Sequence, residues 1–225
     1  MSILSWRTPL QLLEKVATAA GQDCILCACT ADESVVCTAC DARLPRCVSV
    51  SLESLGAVRA FDDAVATFDY AFPIDRLVQR FKFGGDLAVG RWLARQLARD
   101  VSALQPPALL VAPPLTAARL RERGFNQAIE IAKVAARATG AHVALDALVK
   151  LRETTPQPAL GAGARRVNLR GAFACRLALS GQSVAIVDDV FTTGATADAV
   201  AIALKEAGAG PVSVWTVARA PGPRR

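Results

Sequence analysis

Apolar residues recur along this chain in short unbroken runs, separated by longer stretches where they return every three or four positions. Residues 184–187 are Val-Ala-Ile-Val, the pattern of a strand buried on both faces of a parallel sheet. Runs at 108–112, 143–149, 171–176, 183–188 and 211–218 are read as strands. Stretches at 73–83, 86–104, 126–138 and 196–207 are read as helices, with Gly208 placed to close the last. Strands alternating with helices predict an α/β fold with a doubly wound, mostly parallel sheet. Residues 65–71 alternate only partly and are expected to form a strand of a small hood. A short amphipathic helix is expected around 10–16.

The chemistry concentrates where the 183–188 strand ends. Two acids, Asp188 and Asp189, are followed by Thr192, Thr193, Gly194, Ala195 and Thr196, a loop of small and hydroxylated residues opening the next helix. In an open α/β sheet, ligands lie outside the carboxyl ends of the strands. Loop and helix N-terminal N–H groups favour a phosphate there, and carboxylates accept hydrogen bonds from sugar hydroxyls. The stretch therefore suits a sugar phosphate. The plain alternative is an Asp-Asp turn with a threonine N-cap, and the loop lacks the glycine–lysine pairing of a nucleotide P-loop.

A second group of polar residues follows the 108–112 strand, which Pro113-Pro114 ends sharply. Arg119, Arg121 and Arg123 come next, and Gly124 permits a turn into the 126–138 helix. Arginine forks suit paired phosphate oxygens; a solvated basic helix start is the competing reading. Residues 151–164 carry threonine, glutamine, proline and glycine without periodicity, so they read as a long loop of the kind that often forms a lid. His142 has no metal-like partner nearby and reads as structural.

Six of the seven cysteines lie between Cys24 and Cys47. Cys24 and Cys27 form one C-x-x-C pair and Cys37 and Cys40 another, which is the spacing of a tetrahedral four-cysteine zinc site. A segment of about 40 residues cannot fold on its own buried surface, whereas structural zinc contributes on the order of 10 kcal/mol. Four thiolates leave no open position, so the zinc is expected to be structural. Cys29 could exchange with Cys27 as a ligand, but both Cys29 and Cys47 read as ordinary, partly buried cysteines. Cys175 reads as core packing in a strand.

With 225 residues, 52% of them hydrophobic, the chain holds one full domain and a small appendage. The expected division is a helix and zinc module over 1–60 and the ligand-binding domain over 61–225. No apolar run approaches the roughly 18 residues of a membrane span, and the N-terminus lacks a signal-peptide plan. A cytoplasmic protein without membrane insertion is expected. The formal charge of +6 invites a nucleic-acid reading. A site for a multiply charged anion also needs arginines, so the charge discriminates little.

The acidic pair and its threonine loop resemble the phosphoribosyl-pyrophosphate (PRPP) signature of type I phosphoribosyltransferases, with Phe191 bulkier than the aliphatic residue usual there. Zinc pairs ahead of such a motif resemble the ComF family (ComFC and GntX-type proteins). Phe81-Lys82-Phe83-Gly84-Gly85-Asp86, Arg121-Glu122-Arg123-Gly124-Phe125-Asn126-Gln127, Thr154-Thr155-Pro156-Gln157, residues 165–173 and residues 218–221 carry the resemblance further. It extends over essentially the whole chain from Cys24 onward. Many relatives carry a second cysteine knuckle that this chain lacks, so a single zinc is expected.

The resemblance implies that Asp188 and Asp189 hold the ribose 2′ and 3′ hydroxyls and that residues 192–196 wrap the 5′-phosphate. It places Pro113, Pro114, Leu115 and the three arginines around the diphosphate. Arg152, Gln157, Arg165 and Arg166 would border the site on the lid loop. The implied reaction is displacement of pyrophosphate at ribose C1′, with Mg²⁺ accompanying PRPP and an acceptor that the sequence does not name. Two other readings stand beside it. One is a non-catalytic PRPP sensor. The other is a competence accessory protein that handles single-stranded DNA or meets DNA-uptake proteins, although no aromatic series suited to base stacking is present.

Overall fold

The computed structural model describes residues 23–31, 34–47, 50, 59–152 and 168–220. The helix expected at 10–16 lies outside them. Two compact units are present, Met1–Leu44 and Pro45–Arg225. The division falls earlier than the expected boundary at residue 60. Backbone bonding supplies the reason: Pro45 and Cys47 hydrogen-bond to Asp69 and Thr67, and Arg46 bridges to Phe68. Residues 45–47 are thereby tied to the sheet of the second unit. Within the described residues, no helix is long and apolar enough to cross a membrane.

In the first unit, a one-turn helix α1 (Thr38–Asp41) follows two tight loops. Asp23 bridges to Thr30, and the Ile25 N–H donates to the Val35 carbonyl.

The second unit is built on a five-stranded, all-parallel sheet. Its strands are β1 (Asp63–Asp69), β2 (Leu109–Val111), β3 (His142–Val143), β6 (Val184–Phe191) and β7 (Val212–Arg219), in the order β1-β7-β6-β2-β3. Between β1 and β2 run α2 (Ile74–Gly84) and α3 (Leu87–Val101). After β2 come α4 (Ala117–Arg123) and α5 (Gln127–Thr139), and α6 (Ala195–Glu206) joins β6 to β7. A separate antiparallel pair is formed by β4 (Leu148–Lys150) and β5 (Phe173–Cys175).

Why β6 sits at the centre follows from its sequence. Val184, Ala185, Ile186 and Val187 are all fully buried. Alternate side chains of a strand point to opposite faces. Val184 and Ile186 join the apolar cluster that holds Val200 and Leu204 of α6. Ala185 and Val187 then turn to the other face, where α5 packs on β6 and α3 packs on β7 and β1. The doubly wound, parallel α/β fold expected from the sequence is the fold observed.

Several boundaries differ, each for a visible reason. The expected strand at 143–149 is two strands with exposed Leu145 and Asp146 between them. Its first part pairs with β2, and its second leaves the main sheet to pair with β5. The 171–176 strand accordingly belongs to the small ribbon, not to the parallel sheet. The stretch expected as a hood strand is β1, the edge of the main sheet, with Asp63 to Asp69 in register along β7. It alternates poorly because α3 covers it as well. The helix α4 was not expected. Gly124, left-handed at φ 75°, ends α4, and Asn126 then caps α5 through its side chain.

The α2–α3 crossing is close. Gly90 of α3 lies against the Phe81 ring of α2, and a Cβ added at residue 90 would overlap ring carbons. Gly90→Ala should therefore cost about 1–3 kcal/mol of stability, measurable as a lower denaturant midpoint. An unchanged midpoint would mean that the crossing has slack to give.

Candidate functional site

The strand order fixes where a ligand can sit. From β2 the chain goes to β3 on one side, and β6 then enters on the other, so the order reverses between β2 and β6. A crevice outside the carboxyl ends of strands at such a reversal is the usual ligand position in open α/β sheets. Val111 is level with Ile186. The turn at Pro113 and the acids at 188 and 189 thus leave adjacent strands side by side.

The acids lie inside β6, which the sequence ended at 188 but which runs to Phe191. Asp188 is level with Thr216 of β7 and retains some solvent exposure, while Asp189 is buried. Asp188 Oδ1 accepts from the Asp189 N–H at 2.8 Å. Asp189 Oδ2 meets Lys82 Nζ, from the last turn of α2, at 2.7 Å. Burial and the neighbouring Asp189 charge push Asp188 up to about 7, against the opposing pull of Lys82, the Asp189 N–H and Arg123.

The loop beyond the acids turns on Gly194, which is left-handed at φ 72° and caps α6. Thr192 is exposed, Thr193 and Thr196 are half-buried, and Ala195 is buried, with its N–H donating to Thr193 Oγ1 at 3.4 Å. A Cβ at residue 194 would stand 2.7 Å from the Phe191 ring and 3.2 Å from Arg59 Nη1. Phe191 is itself buried, edge-on to Phe61 at 6.1 Å. The bulky Phe191 thus finds its space over a bare glycine. Asp198, one turn into α6, accepts from the Ala60 N–H at 2.9 Å and from Arg59 Nη1 at 3.4 Å. Asp198 fixes the base of the loop that opens α6 and was not among the expected site residues. An acid in the first turn of an alanine-rich helix was its only signal.

The three arginines part company. Arg119 and Arg121 are exposed on α4, whereas Arg123 is half-buried. Its Cζ lies 5.3 Å from the Phe83 ring centroid, and its Nη1 donates to Gln127 Oε1 at 3.3 Å. Its buried Nε has no hydrogen-bond partner among the described residues. Burial and Arg119 lower its basicity, while Asp189, Glu122 and Asp188 act to restore it. Pro113 is buried, Pro114 and Leu115 are half-buried, and the Pro113 carbonyl accepts from Asn126 Nδ2 at 3.0 Å.

Arg152 ties backbone to backbone. Its Nη2 donates to the Asn168 and Arg170 carbonyls, both at 2.8 Å, joining the two ends of the expected lid. Gln157, Arg165 and Arg166 lie outside the described residues. His142 is exposed at the start of β3. Lys82 was not among the expected site residues, although its segment carries part of the family resemblance. A lysine among phenylalanines and glycines gave no hint that its partner stood more than a hundred residues away.

In the first unit, the sulfur atoms of Cys24, Cys27, Cys37 and Cys40 all lie within 4.8 Å of one another. Cys27 and Cys37 Sγ are 3.7 Å apart, near the roughly 3.8 Å edge of a tetrahedron with 2.3 Å metal–sulfur bonds. Cys24 is pushed down to about 6: its burial acts upward, but the backbone N–H groups of Cys37, Leu26 and Cys27 outweigh it. Cys40 is pushed up to about 12, chiefly by hydrogen bonding with Cys27 and then by burial. One thiol thus ionises readily and another resists. Four thiolates together need a cation, and the cluster could hold one metal ion. Cys29 is exposed outside this set. Cys175 lies half-buried against the α6 cluster, as expected of core packing.

Two outcomes follow. Elemental analysis of the purified protein should find one bound metal per chain, lost in Cys37→Ser; metal-free protein that keeps a folded first unit would refute the cluster's role. The raised Asp188 makes the folded state bind a proton more tightly than the unfolded one, whose carboxyl titrates near 3.8. Stability therefore falls as pH rises from about 4 through about 7. Asp188→Asn removes that fall, so its melting temperature should exceed wild type by a few degrees at pH 8 and by little at pH 4, as read by calorimetry.

No family model matches the chain. The DNA utilization protein YhgH of Escherichia coli K12 is 35% identical over 161 residues, covering 69% of this chain and 71% of that protein. Competence protein F of Haemophilus influenzae is 32% identical over 170 residues, covering 72% and 74%. Competence protein ComFC of Streptococcus pneumoniae is 26% identical over 212 residues, covering 84% and 89%. Among solved structures, a glutamine PRPP amidotransferase from B. subtilis is similar with a TM-score of 0.43 and 22% identity, over 62% of this chain and 30% of that one.

Proposed function

Because the chain belongs to the ComF family, with the DNA utilization and competence proteins, we propose that its second unit binds PRPP at the carboxyl end of β6. The carrying observation is the acidic pair in the last half of β6, followed five residues later by a left-handed glycine at the N-terminus of a twelve-residue helix. Asp188 and Asp189 then accept hydrogen bonds from the ribose 2′ and 3′ hydroxyls. The N–H groups of Thr192, Thr193, Gly194, Ala195 and Thr196 receive the 5′-phosphate, where the helix dipole favours negative charge.

The diphosphate lies toward the neighbouring strand, with Pro113, Pro114 and Leu115 lining it and Arg123 as its nearest arginine. Arg119 and Arg121 are more exposed and contribute field more than contact. Mg²⁺ carried with PRPP would share the neutralisation of the diphosphate. The reaction is displacement of pyrophosphate at C1′ through an oxocarbenium-like transition state, to which the fixed charges are complementary. The acceptor is not specified by these residues, and none of them is nominated as a general base. The metal of the first unit is zinc, because four thiolates at tetrahedral spacing are its preferred set. A link to DNA uptake rests on the names of the relatives.

Titration calorimetry with PRPP and Mg²⁺ tests the reading. Wild type should bind, and Asp188→Asn combined with Asp189→Asn should lose at least about tenfold in affinity while remaining folded. Equal affinity in the double variant would remove the site assignment. Pyrophosphate release on adding nucleobases or amines marks an enzyme, whereas tight PRPP binding without release for every acceptor marks a sensor.

A further inference from the structure

Two adjacent carboxylates at the end of a buried strand repel each other, and each must be held in place to serve a hydroxyl pair. One oxygen of Asp188 is held by the Asp189 N–H. The corresponding hold on Asp189 comes from a different element. Lys82 Nζ lies 2.7 Å from Oδ2, with the lysine side chain 23% exposed and the aspartate 10%. This is not a loose surface pair, for which a negligible contribution would be the default. It is a short, charge-assisted contact with most of the water excluded.

The lysine is itself held. Gln127 Nε2 donates to its carbonyl at 3.4 Å, and the preceding Phe81 is buried against α3 with its ring 5.5 Å from that of Phe125. Phe125 lies in the short link between α4 and α5, Gln127 opens α5 and Arg123 ends α4. The cations facing the acidic pair therefore share one scaffold. The charged groups acting on Asp188 are Asp189 of β6, Lys82 of α2 and Arg123 of α4, with Arg119 and Glu122 bearing on Arg123 in turn.

We infer that Lys82 is a positioning residue for diol recognition: it orients Asp189 through Oδ2, leaves the other oxygen for a ligand hydroxyl, and sets a positive charge beside the acidic pair. This rests on the PRPP reading above and adds to it a residue outside the acidic motif. The favourable pull of Lys82 on Asp188 agrees in sign.

The experiment is PRPP binding by calorimetry between pH 5.5 and 9 for wild type, Lys82→Gln and Lys82→Arg, with thermal melts to establish folding. Lys82→Gln should bind about tenfold more weakly near pH 7 and have its acid limb displaced upward by about one pH unit. Lys82→Arg should restore the limb. Lys82→Met, which keeps the apolar stem, serves if the glutamine variant does not fold. A folded Gln or Met variant with wild-type affinity and an unmoved limb overturns the inference while leaving the PRPP site standing. If wild type binds no PRPP at any pH, the underlying reading fails instead.

Discussion

The repulsion between Asp188 and Asp189 is the constraint around which the second unit is organised. Neighbouring carboxylates on a strand whose preceding four residues are fully buried are costly unless cations and donors meet them. The protein meets them from two directions. Lys82 arrives from the end of α2, and Arg123 from the end of α4. Neither helix packs extensively on β6. Each instead ends at a glycine, Gly84-Gly85 or Gly124, so that a basic last turn stops beside the strand end. Cations in a last helical turn also sit favourably with the helix dipole. The same residues that relieve the acids therefore bring both signs of charge to the point where the strand order reverses.

The hydroxyl-rich loop obeys a different constraint, that of space. Gly194 is required twice, once by its positive φ and once by the Phe191 ring stacked over it. The aromatic that departs from the family pattern is accommodated by Phe61 and by the same glycine. Asp198 and Arg59 then fasten the chain before β1 to the first turn of α6. The loop's geometry is set by these local contacts and by the close-packed core beneath it.

How much of this was readable from the sequence depends on the range of the interaction. β6, β7, α5, α6 and the four-cysteine set could be read because each is encoded by local periodicity or fixed spacing. The strand carrying the acidic pair was read too short, since it continues through both acids to Phe191. What escaped was non-local. Residues 63–69 are doubly covered, so their alternation is muted and their place at the sheet edge was invisible. Residues 142–150 serve two sheets, a division that no run of apolar residues announces. Lys82 and Asp198 gain meaning only through partners far away in sequence. Conversely, Arg119, Arg121 and Arg152 looked alike as candidates, and only packing separates exposed helix charges and a loop tie from Arg123.

The segment 81–86 shows how a few residues can serve several ends when they sit on the last turn of a helix. Successive helical residues point about 100° apart. Phe81 goes into the core against Gly90, Lys82 reaches the acidic pair, and Phe83 faces outward with Arg123 over its ring. Gly85 then reverses the chain at φ 64°, and Asp86 caps α3 through Val89 while pairing with Arg80 at 2.7 Å. A shift of one position along α2 would put phenylalanine against Asp189 and lysine into the core, and both places would lose. The placement of the cation at the strand end is thus set by helix phase and by the glycine that closes the helix, before any ligand is considered.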